Sequence, residues 1–359
     1  WHEPVNEQYG PEYNAAYRAD DPFWKLITPR FVKSEDGKYL WKNDTSSDEL
    51  SGHYFFYGIY YDLVAKTEEE RAPVRDVVRK ITDHLIRNGF NLIDHDGKPT
   101  RWARFGPDYI DTYQGWDQRG LNSVMMLAIL SIAEHITGDS AYGEVARSLR
   151  DEHAYHINTM VARPTFPPEN VVPWDNTMAL FALYPLFQYE TDPELLILYR
   201  IAIEHAWLFM SRQANPLWSY LYAACGQRFV QLAKEGYFAN AFPDGGPYAE
   251  RQAARFAEYD YARGHALRTL RGLPLELIGW HMENSHRLDV QLDPTPAQVP
   301  GYGWSRVDGY ALPVEERAHV RQDRDGFAID SSEGDGWTEH EGTFFLLPYW
   351  LARHHGLLN

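Results

Sequence analysis

Cysteine is almost missing. Cys225 is the single one in 359 residues, so no disulfide can close within the chain and its stability has to come from packing. Positive charge is also scarce, with 34 Lys and Arg set against 51 Asp and Glu, a formal net charge of −17. That balance lacks the basic footprint a nucleic-acid partner requires and does not favour an anionic membrane surface. It still allows a local arginine cluster to reverse the sign inside a cleft. No run of eighteen or more apolar residues occurs, so no membrane insertion is expected. The signatures G-x-S-x-G, H-E-x-x-H, Walker A and a G-x-G-x-x-G after a strand are absent as well. Serine-hydrolase, zinc-protease and nucleotide-dependent chemistry thereby lose their usual support, and no cofactor is expected.

Aromatic residues are plentiful: 12 Trp, 24 Tyr and 17 Phe. Many stand beside Gly, Pro and Asp, and Trp102, Trp116, Trp174, Trp304 and Trp337 fall in expected loops or helix starts. Rings in such places suit stacking on sugar faces, whereas rings inside apolar helix stripes would only fill a core. Residues 1–40 read as an irregular aromatic arm packed on the remainder, carrying Trp1, Tyr9, Tyr13, Tyr17, Phe23 and Trp24. The chain opens on Trp1 and not on Met, which reads as a processed or trimmed chain. Its compartment is left open, with export slightly ahead of the cytosol.

From residue 41 onward helical periodicity dominates. Ser47–Ala65 is apolar throughout, Lys66-Thr67 turns, and Glu68–Asn88 is amphipathic through Val74, Val77, Val78, Ile81 and Leu85. Leu121–Ile136 and Ser140–Val161 repeat the unit around a Thr137-Gly138-Asp139 turn, and Asn176–Tyr189 and Glu194–Arg212 repeat it around Thr191-Asp192-Pro193. A looser pair is expected over Leu217–Cys225 and Glu250–Arg271, with Pro274–Glu283 also helical and Gly342–His355 closing the chain. A helix apolar on every side must be surrounded, and a one-sided helix lies outside it. Stacked hairpins of this kind make an inner and an outer ring, an all-α (α/α) toroid occupying 41–359 as a single domain. Short turns at 66–67, 137–139 and 190–193 alternate with long connections at 90–119, 162–174, 226–249 and 285–340. The long ones then emerge on one face, at the starts of the inner helices. Residues 285–340 are expected to form an elaborate loop over the cleft, with room for a few short strands.

Candidate chemistry lies in those loops. Ser46 and Glu49 form a capping box before the first inner helix, yet Asp44, Asp48 and Glu49 put three carboxylates in six residues, with His53 and Tyr57 one turn apart beyond them. Arg101, Trp102 and Arg104, followed by Trp116, offer guanidinium groups for a carboxylate and flat faces for a ring. Trp174 and Asp175 open another inner helix, and the 330–342 loop carries Asp330, Glu333, Asp335, Trp337, Glu339 and Glu341. Its acids lack EF-hand spacing, so no metal site is expected.

The repeated hairpin, with its T-G-D and T-D-P turns at 137–139 and 191–193, and the Trp/Asp-rich loops before inner helices resemble the six-hairpin glycosidase-like superfamily over residues 41–355. That superfamily comprises toroidal glycoside hydrolases and similarly built polysaccharide lyases. The resemblance is architectural and implies carboxylates and aromatics at the centre of the ring on the long-loop face. The expected function is glycosidic-bond hydrolysis by paired carboxylates, with Asp48, Glu49, Asp175 and Glu339 as candidates and His53 as an acid–base group. Tyr57, Arg101, Trp102, Arg104, Trp116, Trp174 and Trp337 are the expected carbohydrate-binding residues. Two alternatives stay open. One is β-elimination at a uronic acid, with Arg101 or Arg104 neutralising the carboxylate and Tyr57 or His53 as base. The other is a glycan-binding toroid without turnover. Oligomeric state is not readable from the chain.

Overall fold

The computed structural model describes residues 6–7, 9–20, 24–163, 173–211, 215–236 and 343–358, with short pieces between 262 and 271 and at 304–305 and 328–329. Of the residues described, 70% are helical and the strands are few and short, so the all-α expectation holds at that level. The chain divides into two compact units, Trp1–Tyr155 and His156–Asn359, taken here in turn.

The first unit opens with α1 (Pro11–Asp20) and a hairpin of β1 (Phe31–Lys33) and β2 (Leu40–Lys42). Residues 1–40 were expected to be irregular; within them, α1 and strand β1 are regular. Pro11 begins the helix, where its missing N–H costs nothing, and Tyr13 and Tyr17 stack one turn apart with centroids 4.5 Å apart.

Helix α2 (Ser47–Ile59) follows, running into a π-turn at Tyr60–Val64, and then α3 (Glu68–Arg87). Both start on a capping box, Ser46 with Glu49 and Thr67 with Glu70, which satisfies backbone N–H groups that no helical carbonyl can reach. Helix α3 buries one stripe, Val74, Val78, Thr82 and Leu85, as its periodicity predicts. Tyr54 of α2 reaches across to Thr82 at 2.7 Å.

Residues 90–119, expected as a loop, contain a second hairpin of β3 (Asn91–Ile93) and β4 (Pro99–Arg104), turning at Gly97 in the left-handed region with φ 76°. Helix α4 (Arg119–Thr137) is buried over nearly its whole surface and stops at Gly138, also left-handed at φ 70°. It is long and apolar enough to cross a membrane, and its burial is equally that of a core helix. A three-residue turn leads to α5 (Ala141–His153), which buries only Tyr142, Ala146 and Leu149.

Three side-chain bonds fix how α2 and α4 run. At one end, Thr100 of β4 donates to the Thr45 carbonyl just before α2, while Asn122 in the first turn of α4 donates to the Arg104 carbonyl. At the other end, His135 near the close of α4 lies 2.7 Å from Asp62 in the turn ending α2. The two helices are therefore parallel neighbours that begin at one hairpin, with α3 and α5 returning beside them.

The second unit carries α6 (Pro173–Tyr189), α7 (Pro193–Met210), α8 (Pro216–Lys234) and α9 (Thr343–His354). Asp192-Pro193 and Asn215-Pro216 start α7 and α8 alike. The side chain of the first residue accepts from the helix start, and proline takes the first helical position. The Trp218 indole of α8 donates to Thr177 of α6 at 2.8 Å, so these two buried helices also begin side by side. Two expectations need correction. Helix α8 runs to Lys234, so 226–234 is helix and not loop, because Phe229, Val230 and Leu232 continue its buried face. The return from α7 to α8 spans only residues 211–215, so long connections do not follow every outer helix. The expected stretches at 237–261, 274–283 and 285–303 lie outside the described residues.

Candidate functional site

A cleft of about 460 Å³ lies in the first unit between the segment after α1 and the β3–β4 hairpin. Five cations line it, Arg18, Lys25, Lys98, Arg101 and Arg104, against the single carboxylate of Asp96. In a chain of net charge −17 this is a local reversal of sign.

Its floor is fixed by Lys25. The ammonium donates to Asp94 at 2.7 Å, Asp96 at 2.8 Å, and the carbonyls of Lys98 and Pro99 at 2.9 and 3.1 Å. The Asp94 side chain is 1% exposed; burial raises its carboxyl above the usual range, and Lys25 offsets part of that rise. One wall is aromatic. Trp24 stacks on Tyr17 with centroids 4.6 Å apart, donates its indole N–H to Asn14 at 3.1 Å, and lies under the Arg30 guanidinium. Strand β4 also lines the cleft; its Arg101 sits over the Trp102 ring at 3.8 Å and its Arg104 over Tyr109 at 4.3 Å. The bonds of β4 to Thr45 and Asn122 place this strand beside the starts of α2 and α4.

Of the residues singled out in sequence, Arg101 and Arg104 line the cleft and Trp102 braces Arg101. Glu49 stands on the first turn of α2, 2.8 Å from Lys42, 2.5 Å from the Thr45 hydroxyl and 3.0 Å from the Ser46 N–H. Burial opposes its ionisation, but the bonds from Lys42 and Thr45 outweigh burial and hold the carboxyl below the usual carboxylate range. It is thus an ionised group, suited to a base or nucleophile and not to proton donation. Asp48 is exposed and accepts from the Ser46 hydroxyl. His53 is exposed and stacks on half-buried Tyr57, centroids 5.7 Å apart; burial raises the Tyr57 phenol. Trp116 is more than half exposed.

Asp175 and Trp174 belong to the second unit. Asp175 lies inside the first turn of α6, buried, and pairs with Arg163 at 3.1 Å, while Trp174 is exposed beside it. Trp337 and Glu339 lie outside the described residues. Among the described residues, no three His, Cys, Asp or Glu side chains gather as a metal ion would need. Sequence reasoning missed Arg18, Trp24 and Lys25 as site residues. The signal available was the run Lys98, Arg101, Arg104, three cations in seven positions of an acidic chain, facing an unassigned aromatic segment.

The depressed Glu49 carboxyl carries a stability consequence. A carboxyl whose folded pKa lies below its unfolded value of about 4.3 contributes stability above that value and loses it as pH falls through the folded pKa. Glu49→Gln should therefore lower the unfolding free energy by about 0.5–1 kcal/mol at pH 7, the scale of a cap with an exposed ion pair. The gap should narrow as pH falls through the folded pKa, and so be smaller at pH 3 than at pH 7. Urea midpoints of both proteins at the two pH values measure it, and an equal gap at both would contradict the assigned charge. Comparison of the chain with family models, curated proteins and solved structures returns no match.

Proposed function

We propose that the chain is a carbohydrate-active enzyme on an (α/α) toroid, cleaving a glycosidic bond at the end of the helical core where α2 and α4 begin. One observation carries the reading. Two parallel helices, α4 buried over most of its surface and α2 along one side, start at a single hairpin, and around that hairpin stand aromatic rings, a fixed ionised carboxylate and several arginines. Flat rings bind sugar faces, and a carboxylate held ionised is the partner an acid-assisted glycosidase needs to activate water or attack the anomeric carbon. Glu49 takes that role in this reading. Asp175 and Glu339, the other carboxylate candidates of the sequence, belong to the second unit.

A second reading, β-elimination at a uronic acid, draws on the cations of the cleft and on the stacked His53–Tyr57 pair. Arg101 or Arg104 would neutralise the sugar carboxylate, and the phenol or imidazole would take the neighbouring proton.

A screen against neutral and uronate-containing polysaccharides, scoring reducing ends and ultraviolet absorbance together, tests both. Hydrolysis releases reducing ends without absorbance, and elimination gives both. Under the first reading Glu49→Gln should slow turnover by about 10²–10⁴-fold, the usual worth of a positioned acid–base group. Full activity in Glu49→Gln would remove Glu49 from the mechanism, and no turnover on any polysaccharide would remove the enzyme.

A further inference from the structure

We infer that the gap over Gly52, on the exposed side of α2, is the subsite that seats one pyranose ring next to Glu49, with His53 and Phe56 beside it. This rests on the glycosidase reading and adds to it the place where the reacting sugar sits. Helix α2 turns Leu50, Ser51, Tyr54, Phe55 and Gly58 inward, all of them buried. At helical spacing its other side carries Glu49, Gly52, His53, Phe56, Tyr57 and Tyr60, none of which is buried. Glu49 therefore heads a stripe that continues as exposed and half-buried rings.

Gly52 is the break in that stripe. It lies inside the helix, it is not among the glycines of positive φ, and a Cβ there would meet no atom of the described residues within 4 Å. Neither backbone conformation nor packing calls for glycine at this position, although glycine is among the costliest residues inside a helix. A helical side chain covers the surface over the turn that precedes it, so the missing one leaves open the patch beside Asp48 and Glu49. Seven residues at the helical rise put about 10 Å of axis between Glu49 and Phe56. Only Gly52 and His53 of the stripe stand between them, which leaves room for a single sugar ring.

The groups around the gap suit a saccharide. Phe56 is more than half exposed, with its ring 5.5 Å from Tyr60 and 6.3 Å from Tyr57 between centroids, and His53 stacks on Tyr57. Ring faces of this kind take the C–H face of a pyranose. Among the described residues, neither the His53 imidazole nor the Tyr57 and Tyr60 hydroxyls hydrogen-bond within the protein. Their polar edges are thus open to sugar hydroxyls. An apolar peptide would cover those edges without satisfying them, whereas a pyranose matches rings and edges together. Glu49, fixed by Lys42, Thr45 and Ser46, closes one end of the gap.

Titration calorimetry and turnover of the full chain with four hexasaccharides test this: cellohexaose, xylohexaose, chitohexaose and hexagalacturonate. At least one should bind. Gly52→Leu fills the gap and should weaken that binding and lower kcat/KM by about tenfold or more, and Gly52→Ala by less. Melting followed by circular dichroism should show both variants at least as stable as the parent, since each removes a glycine from a helix. A loss graded with side-chain size in such proteins is not a folding effect. Phe56→Ala should weaken binding about threefold to tenfold. Should Gly52→Leu not fold, Gly52→Ala carries the comparison. Parental binding in folded Gly52→Leu overturns the inference and leaves the glycosidase reading, which is decided by Glu49→Gln, untouched. Size-graded loss of binding in a protein that cleaves none of the four keeps the subsite and sinks the enzyme. Absence of binding to all four overturns the subsite. So does a dimer in sedimentation velocity that Phe56→Ala dissolves, which would give this face to a second copy of the chain.

Discussion

Lys25→Met should destabilise the first unit by roughly 3–5 kcal/mol at neutral pH, the cost of stranding one partner of a buried ion pair. The ammonium touches four acceptors drawn from both sides of the β3–β4 turn, and the Asp94 side chain it neutralises is 1% exposed. Burial already raises the Asp94 carboxyl, with Asp44 nearby adding to the rise, and Lys25 is the group working against it. Without Lys25 the carboxyl rises further. A folded pKa above the unfolded value means the native state holds its proton more readily, so the penalty is full above the folded pKa and fades as pH falls through it. The variant should therefore recover part of its loss between pH 7 and pH 4. The double variant Lys25→Met with Asp94→Asn should recover most of it at pH 7, because no charge is left unpaired. Urea unfolding followed by circular dichroism at both pH values gives these numbers. A single variant within 1 kcal/mol of the parent at pH 7 would show that water reaches Asp94 and that the pair is not a fastener.

That fastener joins two segments, neither of which was legible in the sequence. The hairpin pattern of helices was readable because all-round apolar runs and one-sided runs alternate about turns too short to do anything but reverse the chain. The turn after α4 is the plainest case, with Gly138 taking a backbone conformation other residues resist. The two β-hairpins were hidden. Asp36-Gly37 and Asp96-Gly97 are strong turn signals, but the strands beside them are three to six residues long and carry Lys, Arg and Trp in place of alternating aliphatics. The early helix α1 was masked by its own tyrosines, which read as loop aromatics although Tyr13 and Tyr17 stand four residues apart. At the site, Arg101 and Arg104 were found through residue type. Lys25 and Trp24 were not, since no local pattern announces a partner some seventy residues away. Glu49 was read as both cap and acid, and its bonds account fully for the cap.

Trp218→Ala should cost about 3–5 kcal/mol in the second unit, the range for emptying the space of a fully buried aromatic side chain. Trp218 has no exposed surface, sits in the first turn of α8, and is followed within the same helix by fully buried Tyr220, Tyr222 and Phe229. Its indole also donates to Thr177 at 2.8 Å, the bond that sets the start of α8 against the start of α6. Trp218→Phe separates the two contributions. It keeps most of the ring and removes the donor, so it should cost about 1–2 kcal/mol, the worth of a buried hydrogen bond together with a small volume loss. Unfolding midpoints for both variants provide the comparison. The same bond lies two residues from Asp175 and three from Trp174, so a loss of register would displace the Arg163–Asp175 pair as well. If Trp218→Phe leaves turnover intact while Trp218→Ala abolishes it in a protein that still folds, volume and not the hydrogen bond holds Asp175 in place. Equal losses from both would give that role to the indole N–H, and a cost under 1 kcal/mol for Trp218→Ala would mean that the α6–α8 contact is not the core of its unit.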